Sequence, residues 1–506
     1  MTARAIMIQG TGSDVGKSII VAGLCRIAHR RGLSVAPFKP QNMSNNAAAC
    51  ADGGEIGRAQ ALQARAANLP PETDFNPVLL KPQSDRTAQV IVHGRSWQTL
   101  EAADYMLRRD QLMGAVMQSF NRLTEIYDLI IIEGAGSPAE INLRERDIAN
   151  MGFAQQAGVP VCLVGDIDKG GVIASVVGTQ AVLAPSDAAM IQCFLINKFR
   201  GNPRLFDDGV LAMETQTGWS CLGVIPWLSA AASLPAEDAV SLSHPRETGV
   251  GKIKIVAPML SRMANFDDAD PLRLEPDIDF QWIPPGQTIP RDADAIILFG
   301  TKSTFGDLDF LRTQGWDHDI IAHARAGGCV LGLCGGFQML GRQLFDPDGH
   351  DGVPGKRDGL GLLDVETHMS KSKTVQPVAG ICARTGEAID GYEIHAGRTV
   401  GPDMSRPMVE LESGPDGARS TDGKIAGSYV HGLFSGDRFR QAWLGQLSDA
   451  SERSFAQSSE TSEPVFNYNA EVGNALDRLA DGIERAIDVD TLFAAAQPPG
   501  WVPELQ

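Results

Sequence analysis

The sequence predicts an α/β protein made of two parallel-sheet units in tandem. Three observations carry that expectation. A glycine-rich turn at residues 10–18 lies between a short apolar run and a segment with helical spacing. Apolar runs of strand length recur through the first 225 residues, separated by stretches long enough for crossover helices. A second series starts near residue 252, and one of its strands turns through Cys334-Gly335-Gly336 directly into a helix.

At 506 residues the chain exceeds one ordinary domain. The expected division is a nucleotide-binding unit at 1–239, a linker at 240–250, a second α/β unit at 251–445, and a polar insertion with a terminal packing helix at 446–506. Hydrophobic content of 43% with 21% charged residues suits a full core. With 62 acidic and 44 basic residues the formal charge is −18, which argues against general nucleic-acid or anionic-membrane binding. A local basic pocket for an anionic substrate stays open. None of the 8 Cys forms a CxxC pair or has zinc-site spacing, so they read as reduced, mostly buried thiols of a cytoplasmic protein. The first apolar run leads straight into the glycine turn, unlike a signal peptide. No uncharged apolar stretch reaches the roughly 18 residues of a membrane span.

Residues 5–8 form the first expected strand. Gly10-Thr11-Gly12-Ser13-Asp14-Val15-Gly16-Lys17-Ser18 follows it, and residues 19–31 carry helical spacing. In that setting backbone N–H groups and a helix N-terminus present donors to a polyphosphate. Lys17 would reach the terminal phosphates and the Ser18 hydroxyl would face Mg2+. The loop has five residues between Gly10 and Gly16 where the common pattern has four. Nucleotide (ATP) binding outweighs an ordinary strand–helix turn.

A second strand at 34–38 ends in Lys39-Pro40-Gln41-Asn42-Met43-Ser44-Asn45-Asn46, an amide-dense loop at a place where α/β domains bind ligands. Asp52-Gly53-Gly54 offers a metal-facing carboxylate, although such a sequence alone more often makes only a turn. Residues 127–133 read as a buried strand ending in Glu133, a second candidate Mg2+ contact, with the tight turn Gly134-Ala135-Gly136 after it. Strands at 159–164 and 190–196 follow; Asn197 stands at the end of the latter. Residues 221–225 form a last short strand.

In the second unit, residues 294–299 lead into Gly300-Thr301-Lys302, and residues 329–333 lead into Cys334. A strand–turn–helix elbow lifts a thiol to the sheet edge, where a helix N-terminus lowers its pKa and supplies N–H donors to an oxyanion. Far downstream, His431 ends a short apolar run. A Cys and a His from separate strands can meet as nucleophile and base.

These parts together resemble the cobyric acid synthases, glutamine-hydrolysing enzymes of adenosylcobalamin synthesis, over nearly all of 1–445. The most specific stretches are 38–46, 52–60, 133–143 and Gly391-Tyr392-Glu393-Ile394-His395-Ala396-Gly397-Arg398-Thr399. The N-terminal unit is similar to dethiobiotin synthetase, which shares the longer phosphate loop. The C-terminal unit resembles class I, triad-type glutamine amidotransferases. The resemblance implies that Cys334 attacks glutamine with His431 as base and then acid. It implies that Gln338 holds glutamine and that the Gly300 and Gly335 amides form the oxyanion hole. It gives Lys39 a substrate or phosphate contact, Asp52, Glu133 and Ser18 the metal, and Asn197 the adenine. Glutamine and a corrinoid are the implied partners, without nucleic acid or membrane; a homo-oligomer is left open. ATP would activate the b, d, e and g carboxylates of adenosylcobyrinic acid a,c-diamide for amidation. Many triad amidotransferases carry Glu two residues after the His; here that position is Leu433, so another group must orient His431. Two other readings compete: a cobyrinic acid a,c-diamide synthase, and a phosphate-loop switch ATPase with an inactive amidotransferase-like module.

Overall fold

The computed structural model describes residues 3–83, 86–235, 252–451 and 466–503. The linker expected at 240–250 lies outside them, as do residues 452–465 of the expected polar insertion.

The first sheet runs in the order Ser220–Pro226, Ile191–Phe199, Val161–Asp166, Arg4–Gly10, Leu129–Glu133 and Val35–Phe38, every pair parallel. The first strand thus lies in the middle. Its neighbours come from much later in the chain, so strand order reverses beside it. That reversal opens a crevice at the carboxyl ends of the strands, and the glycine-rich loop enters it. Near-continuous apolar runs suit strands covered on both faces; Ile6, Met7, Ile8 and Leu129 through Ile132 are fully buried. The amide-dense loop is less irregular than expected. Gln41–Met43 joins a four-stranded sheet with Val78–Pro82, Thr87–Val92 and Arg95–Glu101, and Ala47–Ala49 pairs with Glu55–Gly57.

The second sheet orders Ile278–Ile283, Ile253–Pro258, Ala295–Leu298, Cys329–Leu333 and Ile425–Ser428 in parallel, with Ala418–Arg419 antiparallel at its edge. Beside it stands a mostly antiparallel sheet whose long hairpin, Glu366–Cys382 with Ala388–Val400, continues into Val430–His431.

The terminal helix packs as expected, and on the first unit. Tyr468–Ala486 lies along Lys17–Arg30 and buries Val472, Leu476, Leu479 and Ile483 in the same core as Ile20 and Leu24. Gly23 permits that approach: a Cβ there would stand 2.4 Å from Ile483 Cδ1. Ion pairs Arg26–Asp477 (2.8 Å) and Arg30–Asp481 (2.7 Å) flank the contact.

The two units meet through named polar contacts. Asn265 N–H donates to Asn46 Oδ1 (2.7 Å) and Asn265 Oδ1 accepts from Ala47 N–H (3.2 Å). Arg58 pairs with Asp267 at 2.6 Å. Glu55 is buried between Lys81, at 2.7 Å, and Lys373. Burial alone would raise its carboxyl, but the two ammonium groups hold it down at about 2. Lys373 is pushed down to about 8 by burial, with Lys81 adding repulsion. The two shifts agree physically: two cations share one carboxylate, so the anion is over-stabilised and one cation is under-compensated.

Candidate active sites

The thiol site is built on a strained turn. Cys334 follows the strand Cys329–Leu333 with φ 52° and ψ −111°, a conformation that costs a non-glycine residue on the order of 1–3 kcal/mol and clusters at functional sites. The next residues enter the short helix Gly335–Leu340, which packs so close to the sheet that a Cβ on Gly336 would lie 2.0 Å from Leu298 O. Gly300 sits against both reactive side chains: a Cβ there would be 3.2 Å from His431 Cε1 and 3.6 Å from Cys334 Cβ. The structure therefore brings Cys334, His431, Gly300 and Gly335 together.

His431 is fully buried, and its Nδ1 lies 2.7 Å from Asp268 Oδ2. The other Asp268 oxygen accepts from Gly432 N–H at 2.6 Å. This carboxylate fills the role that the sequence left vacant at Leu433. A bond to Nδ1 turns Nε2 toward the nucleophile and favours the charged ring. Burial pulls the imidazole pKa down, yet Asp268 and the hydrogen bond to Cys334 outweigh it and raise the value to about 10. The imidazole is thus held as imidazolium beside the Cys334 side chain.

The strand Ala388–Val400 closes over this centre. The Cys334 thiol donates to Ile394 O (3.5 Å), and Tyr392 stacks on His431 with centroids 5.3 Å apart. His395 stacks on Tyr429 at 3.8 Å and is held neutral, its pKa pulled to about 4 by burial first and the His431 charge second. Gln338 is buried, with Oε1 accepting from Thr304 (2.9 Å) and Nε2 donating to Ala396 O (2.9 Å) and Tyr429 Oη (3.3 Å).

At the phosphate loop, Gly16 adopts φ 97° and Asp14 φ 58°, and the helix Lys17–Arg30 starts immediately. Lys17 Nζ donates to Gly12 O (2.9 Å) and Gly136 O (3.0 Å), curled inside the loop. Thr11 N–H is bonded to Val164 O (2.9 Å), and the loop of Gly10, Gly12, Ser13 and Val15 folds round the lysine. Glu133 is the hub. Oε1 accepts from Ser18 Oγ (2.7 Å) and Lys39 Nζ (2.7 Å); Oε2 accepts from Gln63 Nε2 (2.6 Å) and Gln60 Nε2 (3.3 Å). Ser18, Lys39 and Glu133, read separately from the sequence, meet here.

Two further residues named from the sequence have protein partners of their own. Asp52 lies in an exposed turn, where it accepts from Gly54 N–H (3.1 Å) and Thr73 Oγ1 (2.9 Å). Among the described contacts none joins it to Glu133, and the turn reading describes what it does. Asn197 reaches the loop itself: its Nδ2 donates to Val15 O at 2.8 Å, so at least one of its donors braces the phosphate loop. Among the described residues no group of His, Cys, Asp and Glu forms a ready metal cluster. All eight cysteines are free. No described helix is long and apolar enough to cross a membrane.

Sequence reasoning missed Asp268, Tyr392, Gln60 and Gln63. Asp268 lies 163 residues before His431 in the 3-10 turn Phe266–Ala269, and nothing local marks it. Gln60 and Gln63 carried a signal: two amides spaced three apart share one helix face.

Residues 6–242 match the model of the CobQ/CobB/MinD/ParA nucleotide binding domain, and residues 254–439 match the CobB/CobQ-like glutamine amidotransferase domain. Cobyric acid synthase of Hyphomonas neptunium is 67% identical over 99% of this chain and 99% of its own length. The enzyme of Paracoccus denitrificans is 59% identical over 97% of this chain and its full length, and that of Bradyrhizobium diazoefficiens 57% over 98% and its full length.

Proposed function

This chain belongs to the cobyric acid synthase family, and from that premise we propose that its two centres serve one reaction: glutamine is hydrolysed at Cys334, and the ammonia amidates ATP-activated corrinoid carboxylates at the phosphate loop. The acceptor of the resembled family is adenosylcobyrinic acid a,c-diamide, amidated at b, d, e and g to adenosylcobyric acid. The observation that carries the reading is the Cys334–His431–Asp268 line in one chain with a phosphate loop.

The Cys334 thiolate attacks the glutamine amide carbon. The Gly300 and Gly335 N–H groups would donate to the resulting oxyanion. His431 gives its proton to the leaving nitrogen, ammonia departs, and a thioester remains. His431, neutral after that transfer, takes a proton from water as the water opens the thioester to glutamate. Asp268 holds the ring in the required tautomer throughout and stabilises its charge.

At the other centre Lys17 and the loop amides would bind the triphosphate, and Lys39 would meet the transferring phosphoryl group or the acceptor carboxylate. Ser18 Oγ and Glu133, 2.7 Å apart, offer the oxygen donors a hard dication takes. Mg2+ bound there would neutralise phosphate charge. Phosphoryl transfer to a carboxylate gives an acyl phosphate, and ammonia displaces the phosphate to leave the amide.

Mass spectrometry of adenosylcobyrinic acid a,c-diamide incubated with the protein, ATP, Mg2+ and glutamine labelled with 15N in the amide tests the reading. Four labelled amides are expected. Labelled product from a less amidated acceptor only would favour the a,c-diamide synthase reading. ATP turnover with no glutamine hydrolysis would move the chain to the switch-ATPase class.

A further inference from the structure

A single short helix touches both centres. Arg58–Ala66 begins with Arg58, whose guanidinium pairs with Asp267 at 2.6 Å. Asp267 is the chain neighbour of Asp268, the carboxylate on His431. The helix start is fastened a second time: Arg58 N–H donates to Asn46 O (3.2 Å), and Asn46 Oδ1 accepts from Asn265 N–H (2.7 Å), two residues before Asp267. Two and five positions after Arg58, Gln60 and Gln63 hold Glu133, and Gln63 Nε2 also reaches Ser18 O at 3.2 Å. Gln63 lies five positions after Arg58, a rise of about 7.5 Å.

We propose that Arg58 is a positioning residue of the glutamine-hydrolysing centre, and that this helix carries the occupancy of the phosphate site to it. The inference rests on the assignment of the two centres made above.

The physical reason lies in Glu133. A carboxylate has about four lone-pair positions, and here four donors use them: Ser18, Lys39, Gln60 and Gln63. A cation or a phosphate-bound lysine rearranging at this carboxylate must displace one of them. The Gln60 bond is the longest at 3.3 Å, and Gln60 is also gripped by Asn42 Nδ2 at 2.8 Å. Gln60 and Gln63 thus tie the helix to Glu133, and a rearrangement of that carboxylate acts on the helix through them. Both ends also hold an unspent acceptor: Gln63 Oε1 and Asp267 Oδ1 are buried with no hydrogen-bond partner. Buried acceptors left unpaired cost free energy, which an alternative arrangement could recover. At the far end the Arg58–Asp267 pair sets where the 3-10 turn Phe266–Ala269 stands, and hence where Asp268 meets His431. Among the described contacts Arg58 has none with Cys334. Its effect runs through Asp267 to the orientation of the imidazole.

The test is the rate at which iodoacetamide alkylates Cys334, followed by mass spectrometry of the Cys334 peptide, with and without Mg2+ and a non-hydrolysable ATP analogue. Glutamine hydrolysis is measured under the same conditions. In the wild type the analogue should change both rates by a factor within the usual allosteric range, about 5–150-fold. In Arg58→Met that factor should fall toward 1 while ammonia-dependent amidation persists, which shows that the phosphate site is intact. Arg58→Lys, which keeps the charge, should restore part of it. Asp267→Asn should repeat the Arg58→Met result, and the double variant should add nothing further. A purely structural role would lower the melting temperature without removing the nucleotide response. The proposal is overturned if the response survives in both Arg58→Met and Asp267→Asn. It is also overturned if the wild type hydrolyses glutamine and amidates its acceptor with no response at all, an outcome that leaves the function standing. A wild type that hydrolyses no glutamine removes the function and this inference together.

Discussion

The two centres are prepared in opposite ways. Around Cys334 the reactive groups are already aimed: the thiol is held in a strained elbow, the imidazole is fixed by Asp268, and Gly300 stands against both. Around Lys17 the binding groups are spent on one another. Lys17 bonds loop carbonyls, while Ser18 and Lys39 share Glu133. The difference follows from the ligands. Glutamine carries no net charge, and a site for it can be finished in advance. A triphosphate brings several negative charges, and the cations that will meet it need partners meanwhile, because a buried unpaired charge is costly. Preorganisation is affordable where the substrate is neutral.

The largest effects should separate the centres outright. Cys334→Ala is expected to abolish glutamine-dependent amidation and spare amidation from ammonium salts; Lys17→Ala should abolish both. Product formation from each nitrogen source measures this. If Cys334→Ala still used glutamine, the aimed site would not be the nucleophile.

Next is the carboxylate. Asp268→Asn should keep the fold and lower the glutamine-hydrolysis kcat by a factor on the order of 10⁴, the size seen when a triad carboxylate is replaced by its amide. Ammonia-dependent amidation should change little. A loss below tenfold in kcat would mean that His431 is oriented by something other than Asp268.

A smaller effect should appear in stability against pH. The His431 pKa rises from 6.5 to about 10 on folding, so the folded state holds this proton more tightly. Its contribution is fully present below about pH 6.5 and is lost as the pH rises through 10. Thermal unfolding of the wild type should therefore worsen, relative to Asp268→Asn, between those limits. Parallel curves would mean that the aimed site holds no extra proton.

At the unit joint the sign reverses. Glu55 drops from 4.5 to about 2 on folding, so its contribution is present above pH 4.5 and lost as the pH falls through 2. Glu55→Gln should flatten the acid limb of the stability curve, measured by urea unfolding between pH 2 and 5, with the two proteins differing most above pH 4.5 and converging as the pH falls toward 2.

How much of this was legible depended on distance along the chain. The phosphate loop and the Cys334 elbow are local: strand, glycines and helix follow within about ten residues, and their physics is written in that order. Glu133 could be placed because it ends an apolar strand. His431 needed the pairing with Cys334 to stand out. Asp268 was out of reach, since an Asp in a short 3-10 turn is no different in sequence from a solvated one until the fold lays it on the imidazole. Asp52 was ambiguous for the complementary reason: Asp-Gly-Gly supplies both a turn and a carboxylate, and here the turn uses the carboxylate on Gly54 and Thr73. The resemblance of Gly391 to Thr399 marked a functional strand, but only the structure gave each residue its task at the thiol, the imidazole and Gln338.

The packing of Tyr468–Ala486 on Lys17–Arg30 has a consequence for how the protein is made. The first unit's hydrophobic core is completed by a helix synthesised more than two hundred residues after its last strand, Ser220–Pro226. At about 5–20 residues per second on the ribosome, that is a wait on the order of tens of seconds. Throughout it the faces of Ile20, Leu24 and Ile27 that await Leu476 and Leu479 stay open, while the glutaminase unit emerges and folds. Nascent chains halted anywhere in that window should recruit chaperones through the nucleotide-binding unit, the half of the molecule made first and finished last.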